Sequence, residues 1–167
     1  MSAIFSPCGR WRYRLDREFL IPGPTIGFML HNPSTAGAST DDRTSGRGIS
    51  FARGWGAGRL VFVNPWAGIA TRPPDLWCMD DPVGPENDRH IAAALAEIRA
   101  TGGFIVAAWG AVSPPAHARP AARQRLADVV AMLRENDVRA LAVNQDGSPK
   151  HPLYVRATAQ PLPWSPA

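Results

Sequence analysis

Four positions in the sequence place polar or aromatic side chains beyond short apolar runs. Asn32 and Asn64 each follow such a run and stand before a proline, and Trp109 ends a third run. His151 lies in a polar loop beyond a fourth run, where no apolar periodicity accounts for a histidine. Loops that follow buried strands commonly carry binding and catalytic residues. We therefore expect a polar ligand site at these strand ends, with His151 as its leading residue.

The apolar runs belong to a sequence that alternates between strand and helix patterns. Short continuous apolar runs are typical of buried parallel strands, and they cover residues 25–30, 60–63, 104–108 and 140–143. Helical spacing of apolar residues predicts helices over 89–99 and 123–135. This alternation favours an α/β fold, a three-layer α/β/α sandwich with a short, mainly parallel central sheet. Ligands bind such sheets outside the carboxyl ends of the strands.

The segment before the first apolar run has a different period. Trp11, Tyr13 and Leu15 alternate with arginines at positions 10, 12 and 14. A period of two predicts a half-buried strand, with one face apolar and the other charged. We expect this strand to be antiparallel or to lie at an edge of the sheet.

The length of 167 residues predicts a single domain. Within this domain we distinguish an N-terminal strand region over 1–24, an α/β core over 25–158 and a poorly ordered, Pro-rich tail over 159–167. The segments 36–58 and 73–86 are expected to be loops, because small, polar and proline residues dominate them.

Three local details are open to test. A short helical piece is expected at 49–53. Asn87 and Asp88 are suited to cap the helix that follows them. Asp41 and Asp42 form a poor cage for a divalent metal without further carboxylates, so a solvated turn or an arginine partner is expected for them.

Arginine dominates the positive charge of the chain. The formal net charge is +4 at pH 7, and Lys150 is the single lysine among 18 basic residues. Arg43, Arg47 and Arg53 lie in a Gly-rich stretch, and arginine forks suit phosphate groups. These three residues are our candidates for phosphate binding, which predicts a nucleic acid, DNA in particular, or a nucleotide as partner. A solvated basic face, or a genome rich in arginine codons, explains the same composition.

Composition excludes several classes of protein. The longest apolar stretch, residues 104–112, has nine residues, whereas a membrane span needs about twenty. The first ten residues carry no secretion signal, which favours a cytoplasmic location and no membrane partner. Two cysteines and four histidines make zinc catalysis improbable, and the Gly-rich stretch lacks a phosphate-loop lysine and a dinucleotide fingerprint. We therefore expect no metal and no cofactor.

The order of the motifs resembles two families. The closer match, to domain-of-unknown-function family 1643, runs through Leu30–Ala36, Asp41-Asp42, Phe51-Ala52, Trp55-Gly56, Ala70–Arg72, Pro82–Gly84, Asn87-Asp88 and His151–Tyr154. That family implies no activity. More distantly, the motif order over about residues 26–155 resembles the uracil-DNA glycosylase superfamily.

The glycosylase resemblance implies a role for each matching residue. Asn32 would orient a water, Phe51 would stack on an extruded base, Asn64 would pair with the edge of the base, and His151 would donate a hydrogen bond to the leaving oxygen. These roles suit an oxocarbenium-like transition state and a base removed from its stack. Leu153 is the matching candidate for the wedge that fills the stack.

Three further positions complete the candidate site. Pro33 and Ser34 follow Asn32, and Trp109 could form a pocket wall. The most active glycosylases carry an aspartate where this chain has Asn32, so the resemblance implies a slower, mismatch-type enzyme or none. Ser34 stands where those enzymes carry a tyrosine that excludes a 5-methyl group, so a pyrimidine with a bulky 5-substituent would fit.

Four of these residues also have a purely structural explanation. Asn32 and Asn64 can end strands by bonding to their own backbone, Phe51 can be a core residue, and Trp109 can close the core. The leading hypothesis is a DNA glycosylase-like hydrolase or base-recognition protein for a modified or mismatched pyrimidine. The alternatives are a free nucleoside or nucleotide hydrolase or transferase, and an inactive nucleic-acid-binding module.

Overall fold

The computed structural model describes residues 1–165 of the chain. They form an α/β structure with one seven-stranded sheet and four α-helices. The strands are β1 (Ser2–Phe5), β2 (Arg12–Glu18), β3 (Thr25–Met29), β4 (Arg59–Val63), β5 (Ile105–Ala107), β6 (Val138–Ala140) and β7 (Leu162–Pro163). The helices are α1 (Arg43–Gly54), α2 (Pro73–Leu76), α3 (Asn87–Ala100) and α4 (Arg119–Leu133), with short 3₁₀ helices at Ala116–Ala118 and Pro152–Tyr154.

All seven strands belong to one mixed sheet in the order β1-β2-β4-β3-β5-β6-β7. The four central strands, β4, β3, β5 and β6, are parallel, as the apolar runs predict. The strands on either side, β1 and β2 at one edge and β7 at the other, are antiparallel to their neighbours. The parallel core is therefore short, but the whole sheet is wider than the sequence indicates.

Helices cover both faces of the sheet. Phe28 and its neighbours on one face pack against Phe51 and Ala52 of α1. Met29, the next residue along β3, points to the opposite face, where it packs with residues of α3 and α4. Successive side chains of a strand alternate between faces, so a continuous apolar strand requires cover on both sides.

The Gly-rich stretch holds a full helix rather than a short piece. The prediction of a helix limited to 49–53 is wrong, because α1 runs for 12 residues. Its start is fixed by a capping box in which Oδ1 of Asp42 accepts from the Ser45 amide and Oγ of Ser45 accepts from the Asp42 amide. Gly48 allows the helix to approach the ring of Phe62 closely.

The prediction that only one face of the N-terminal strand is buried is also wrong. Strand β2 lies inside the sheet, and Arg12 and Arg14 are buried together with Tyr13 and Leu15. Ile4 pairs with Arg14 and Phe5 pairs with Arg12, so Tyr13 is an extra residue in β2. Such a β-bulge interrupts the alternation of side chains. It sends Arg12 to the face of Leu15, while Arg14 meets Glu97 of α3.

Other boundaries differ from the sequence predictions for local reasons. Helix α3 has Glu86 as its N-cap, without a side-chain cap, so the capping role of Asn87 and Asp88 is wrong. Asn87 instead donates to the backbone carbonyls of Asn64 and Pro65. The segment 73–86 contains the short helix α2.

The last two differences concern the end of the chain. The fourth core strand ends at Ala140 rather than at residue 143. The tail is ordered as far as residue 165, because β7 pairs with β6 and Trp164 packs against the core. Residues 166–167 of the predicted tail lie outside the described residues.

Among the helices of residues 1–165, none combines the length and the apolar character needed to cross a bilayer.

Candidate functional site

A cavity of about 600 Å³ opens where the central strands end. Its walls come from the residues after β3 and β5, from the start of α1 and from the segment that follows β6. Five of the residues singled out in the sequence line it: Asn32, Ser34, Trp109, Leu153 and His151. The carboxyl ends of parallel strands thus bring together side chains that are far apart in the sequence.

Asn32 is held rigidly by three hydrogen bonds. Its Nδ2 donates to the carbonyls of Pro33 and Ala70 at 2.7 and 2.9 Å. These two acceptors fix the orientation of the amide, so Oδ1 accepts from Nδ1 of His31 at 2.8 Å. His31 therefore carries its proton on Nδ1, which leaves Nε2 as an acceptor.

His151 has the opposite tautomer. It stands at the N-cap of the 3₁₀ helix, where Nδ1 accepts from the Leu153 amide at 3.4 Å. The proton consequently lies on Nε2, which can donate to a ligand. Two contacts hold the loop in place: the Gly110 amide donates to the Pro149 carbonyl, and Arg47 donates to the Val155 carbonyl.

Both imidazoles are neutral at pH 7. Burial lowers the pKa of His151 to about 4, and repulsion from His31 adds to this effect. Burial also lowers the pKa of His31, although its bond to Asn32 acts in the opposite direction. One cavity therefore presents a neutral proton acceptor and a neutral hydrogen-bond donor, an arrangement suited to acid–base chemistry or to recognition of a polar ring.

The cavity also contains permanent charges. Arg12, Lys150 and Asp42 line it. Arg12 is 4% exposed, and its Nη1 donates to the Ala36 carbonyl at 2.5 Å. Burial lowers its pKa to about 10, so the guanidinium remains charged at pH 7. With both histidines neutral, the lining carries a net charge of +1, which favours an anionic ligand.

Aromatic rings supply the apolar part of the cavity. Phe62 is buried in the wall, Trp77 and Trp109 flank it, and Tyr154 is 79% exposed. Trp109 is supported from behind by Trp164, whose ring lies edge-on to it with centroids 5.4 Å apart. These rings can hold a flat ligand by stacking.

Three sequence candidates lie outside the cavity lining. Pro33 is buried, and its carbonyl accepts from the amide of Ala70 as well as from Asn32. Phe51 is 4% exposed, lies in the hydrophobic core and stacks on the ring of Trp55. Asn64 is 2% exposed, and its Nδ2 has no hydrogen-bond partner within the described part of the chain.

The three candidate phosphate-binding arginines also lie outside the cavity lining. Arg43 is exposed at the start of α1. Arg47 stacks on the ring of Phe51 while it holds the Val155 carbonyl, and Arg53 stacks on Phe19. Arg47 thus positions the segment after His151.

Sequence reasoning missed several residues that line the cavity. His31 and Lys150 are direct neighbours of Asn32 and His151, so adjacency to a candidate was an available signal. Arg12 carried no such signal, because its orientation depends on the extra residue in β2. Tyr154 follows Leu153 in the motif that carries the resemblance.

Within residues 1–165, no group of three or more histidine, cysteine, aspartate or glutamate side chains is arranged to hold a metal ion. Asp41 forms an ion pair with Arg17 at 2.7 Å, and Asp42 caps α1. The expectation of an arginine partner is confirmed for Asp41, whereas Asp42 caps a helix instead of lying in a solvated turn.

Comparison with known proteins gives one match. The model of the family described as "Protein of unknown function (DUF1643)" matches residues 12–153. This range includes every residue of the cavity lining except Tyr154. No curated protein and no solved structure matches the chain.

Proposed function

We propose, from the premise that the chain belongs to the DUF1643 family of proteins of unknown function, that this protein is a glycosylase-like hydrolase. It recognises a modified or mismatched pyrimidine and cleaves the N-glycosidic bond of that pyrimidine. The observation that carries the proposal is the pair of neutral imidazoles with opposite tautomers at one cavity, His31 with a free acceptor and His151 with a free donor. Hydrolysis of such a bond needs one group for the water and another for the departing base.

Each step of the proposed hydrolysis can be assigned to an atom of this site. A water oxygen bonds to C1′ of the sugar, the C1′–N bond breaks, and its electron pair moves onto the base. Nε2–H of His151 donates a hydrogen bond to the base oxygen on which negative charge develops. Nε2 of His31 accepts the proton that the water loses, and the released base takes up that proton in turn. Asn32 keeps His31 in the required tautomer through its Oδ1.

The architecture supports a glycosylase-like fold within this proposal. A short parallel core, helices on both faces and a polar cavity at the strand ends are the features that the resemblance implies. Phe51 and Asn64 lie outside the cavity lining. In our proposal the exposed and half-exposed rings of Tyr154 and Trp77 therefore stack on the base, and Asn144 supplies an amide for its edge.

A free nucleotide is the second candidate substrate. The location of the charges favours it: Arg12 and Lys150 line the cavity, whereas Arg43, Arg47 and Arg53 do not. Arginines that track a nucleic-acid strand lie along the surface, but a basic group inside a cavity suits a phosphate that enters with its nucleoside.

The test uses end-labelled single- and double-stranded oligonucleotides that carry uracil, a thymine mismatch or a 5-substituted pyrimidine, followed by alkaline cleavage of abasic sites. Base release from deoxyuridine and its 5′-monophosphate is followed by chromatography in parallel. The variant His151→Ala is compared with His117→Ala, an exposed histidine outside the cavity lining.

The proposal expects base release that His151→Ala abolishes and His117→Ala retains. Release from the mononucleotide alone would favour the second candidate. Silence across all substrates would overturn the hydrolase, and salt-sensitive DNA binding without release would identify a base-reading module instead.

A further inference from the structure

Arg12 differs from the other buried arginines in its partners. Arg14 pairs with Asp16 and Glu97, Arg17 with Asp41, and Arg125 with Asp88. Throughout residues 1–165, no carboxylate oxygen lies within 4.0 Å of the Arg12 guanidinium. Asp42 attracts the guanidinium from a longer distance and favours its charged form, but it forms no ion pair with it, so the cost of burying the charge is only partly offset. The folded chain tolerates this cost at the cavity wall.

The Arg12 guanidinium also has unused hydrogen-bonding capacity. Nη1 donates to the Ala36 carbonyl, but Nε is buried and has no partner within the described residues. A guanidinium offers five donors in a planar fork that matches the oxygens of phosphate and carboxylate groups. An anion in the cavity would use donors that the protein leaves free.

The backbone of β2 is shaped to aim this side chain. The extra residue Tyr13 reverses the alternation, so that Arg12 shares a face with Leu15, and both line the cavity. Bulges that re-aim a side chain are common next to functional sites. Without the extra residue, Arg12 would lie on the face of Arg14 and the carboxylate of Glu97.

The surroundings of Arg12 are favourable for an anion. Thr44 and Ser45, in the first turn of the 12-residue helix α1, line the same cavity, and the positive end of a helix dipole stabilises negative charge. Lys150 lines it as well. Asp42 is the one carboxylate of the lining; its Oδ1 accepts from the Ser45 amide, and its charge attracts Arg12, so a bound anion would share Arg12 with it.

We propose that Arg12 and the first turn of α1 form an anion subsite that binds the phosphate group of the substrate nucleotide. The inference deepens the proposed function and rests on it for the nucleoside that carries the phosphate. The phosphate comes from a 5′-monophosphate or from a phosphodiester of a strand. The cavity volume of about 600 Å³ accommodates a whole nucleotide.

The first experiment measures binding by calorimetry with four probes: inorganic phosphate, deoxyuridine, deoxyuridine 5′-monophosphate and a short oligonucleotide without terminal phosphates. The variants are Arg12→Gln, Arg12→Lys and the control Arg10→Gln, which alters an exposed arginine two residues away that stacks on Trp11. Wild type and Arg10→Gln are expected to bind the monophosphate or the oligonucleotide at least about tenfold more tightly than deoxyuridine.

Arg12→Gln is expected to lose this preference and to bind deoxyuridine as the wild type does. Arg12→Lys should retain part of it, because a point charge replaces the fork. Thermal unfolding checks that the variants fold. Without phosphate, Arg12→Gln should be at least as stable as the wild type, because a buried charge without an ion-pair partner is gone. Added phosphate should raise the Tm of the wild type and of Arg10→Gln but not that of Arg12→Gln.

The outcomes separate the subsite from the activity. Arg12-dependent binding of phosphate without any base release keeps the subsite and overturns the hydrolase. Base release with equal affinity for deoxyuridine, its monophosphate and the oligonucleotide keeps the hydrolase and overturns the subsite. A preference for the monophosphate over the oligonucleotide identifies a free nucleotide as the source, and the reverse preference identifies a strand.

Discussion

Oδ1 of Asn32 lies 2.8 Å from Nδ1 of His31, and the nitrogen of the same amide donates to two backbone carbonyls. An amide is the side chain that fits this position, because it can accept from an imidazole and donate to carbonyls at once. A carboxylate there would face the carbonyls of Pro33 and Ala70 without a proton to offer. The structure thus explains the asparagine at the first motif.

Asn32→Asp is therefore expected to lower the free energy of unfolding at pH 7 by about 1–3 kcal/mol, because the carbonyls of Pro33 and Ala70 each lose the hydrogen bond from this amide. Urea unfolding measures the change. Gln145→Glu is the control, since it makes the same amide-to-carboxylate change at an exposed position. Equal stability of Asn32→Asp and the wild type would contradict the assigned hydrogen bonds.

His151 gives the protein an acid-sensitive stability. Its pKa of about 4 in the folded chain lies below the usual 6.5 of the unfolded chain. Between pH 6.5 and pH 4 the unfolded chain therefore binds a proton that the folded chain does not. The free energy of unfolding is expected to fall as the pH falls through this window, by at most about 3 kcal/mol from this residue.

The variant His151→Gln should flatten that part of the profile, measured by urea unfolding at several values between pH 7 and pH 4.5. His117→Gln, on an exposed histidine, should keep the wild-type slope. Identical slopes in His151→Gln and the wild type would show that His151 is not buried in its neutral form.

Two glycines of α1 are expected to respond in opposite directions to the same change. A Cβ on Gly48 would lie 2.6 Å from Cε1 of Phe62, a ring that is 1% exposed and lines the cavity. Gly48→Ala should destabilise the protein by about 1–3 kcal/mol through overpacking. Gly46→Ala meets nothing within 4 Å and should stabilise it by about 0.5–1 kcal/mol through helix propensity.

Thermal or urea unfolding of both variants measures this difference. A stabilising Gly48→Ala would mean that α1 and β4 can move apart without cost, and the cavity wall at Phe62 would then be adaptable.

Trp164 is expected to affect the cavity without lining it. Trp164→Ala removes the ring that supports Trp109. We expect a loss of about 1–3 kcal/mol in unfolding free energy, because the ring is partly buried against the core, and weaker ligand binding as Trp109 gains freedom. Leu162→Ala, 65% exposed on the same strand segment, should change stability by less than about 0.5 kcal/mol. Ligand binding by Trp164→Ala at wild-type strength would show that Trp109 keeps its place unaided.

Ser34 is expected to set the tolerance for substituents on the base. It is half-buried in the cavity lining, so a tyrosine there would occupy space that a 5-substituent needs. Ser34→Tyr should reduce binding or cleavage of 5-substituted pyrimidines relative to uracil by about tenfold or more, whereas Ser34→Ala should leave the ratio unchanged. An unchanged ratio in Ser34→Tyr would remove Ser34 from the specificity of the site.

The sequence predicted the parallel core well because buried strands need continuous apolar runs. Those runs match β3, β4 and β5 within about one residue at each end. Only residues 49–53 of helix α1 were predicted, because its glycines weaken the helical pattern, while its capping box depends on the side chains of Asp42 and Ser45. Local propensity did not reveal a helix that packing and capping stabilise.

Sequence reasoning identified those cavity residues that lie close to the end of a predicted strand. Asn32, Ser34 and Trp109 directly follow β3 and β5, and they line the cavity. Phe51 is buried in the core, as its structural explanation predicted, and it lies in the part of α1 that the sequence did indicate as helical. Arg12 required the register of β1 against β2, which depends on pairing between separate segments rather than on either segment alone.

Because of the extra residue in β2, the charge of the cavity depends on the number of residues in this strand as well as on their types. Deleting Tyr13 alone would restore the regular alternation of side chains in β2 and turn Arg12 towards Glu97. No residue of the cavity lining would be mutated, but Arg12 would no longer be part of the cavity wall. Relatives of this chain thus gain or lose an arginine at the cavity wall through a single-codon insertion or deletion at a position outside the cavity lining. In comparisons of such sequences, the spacing between the start of β2 and Leu15 is then as informative as the identity of the arginine.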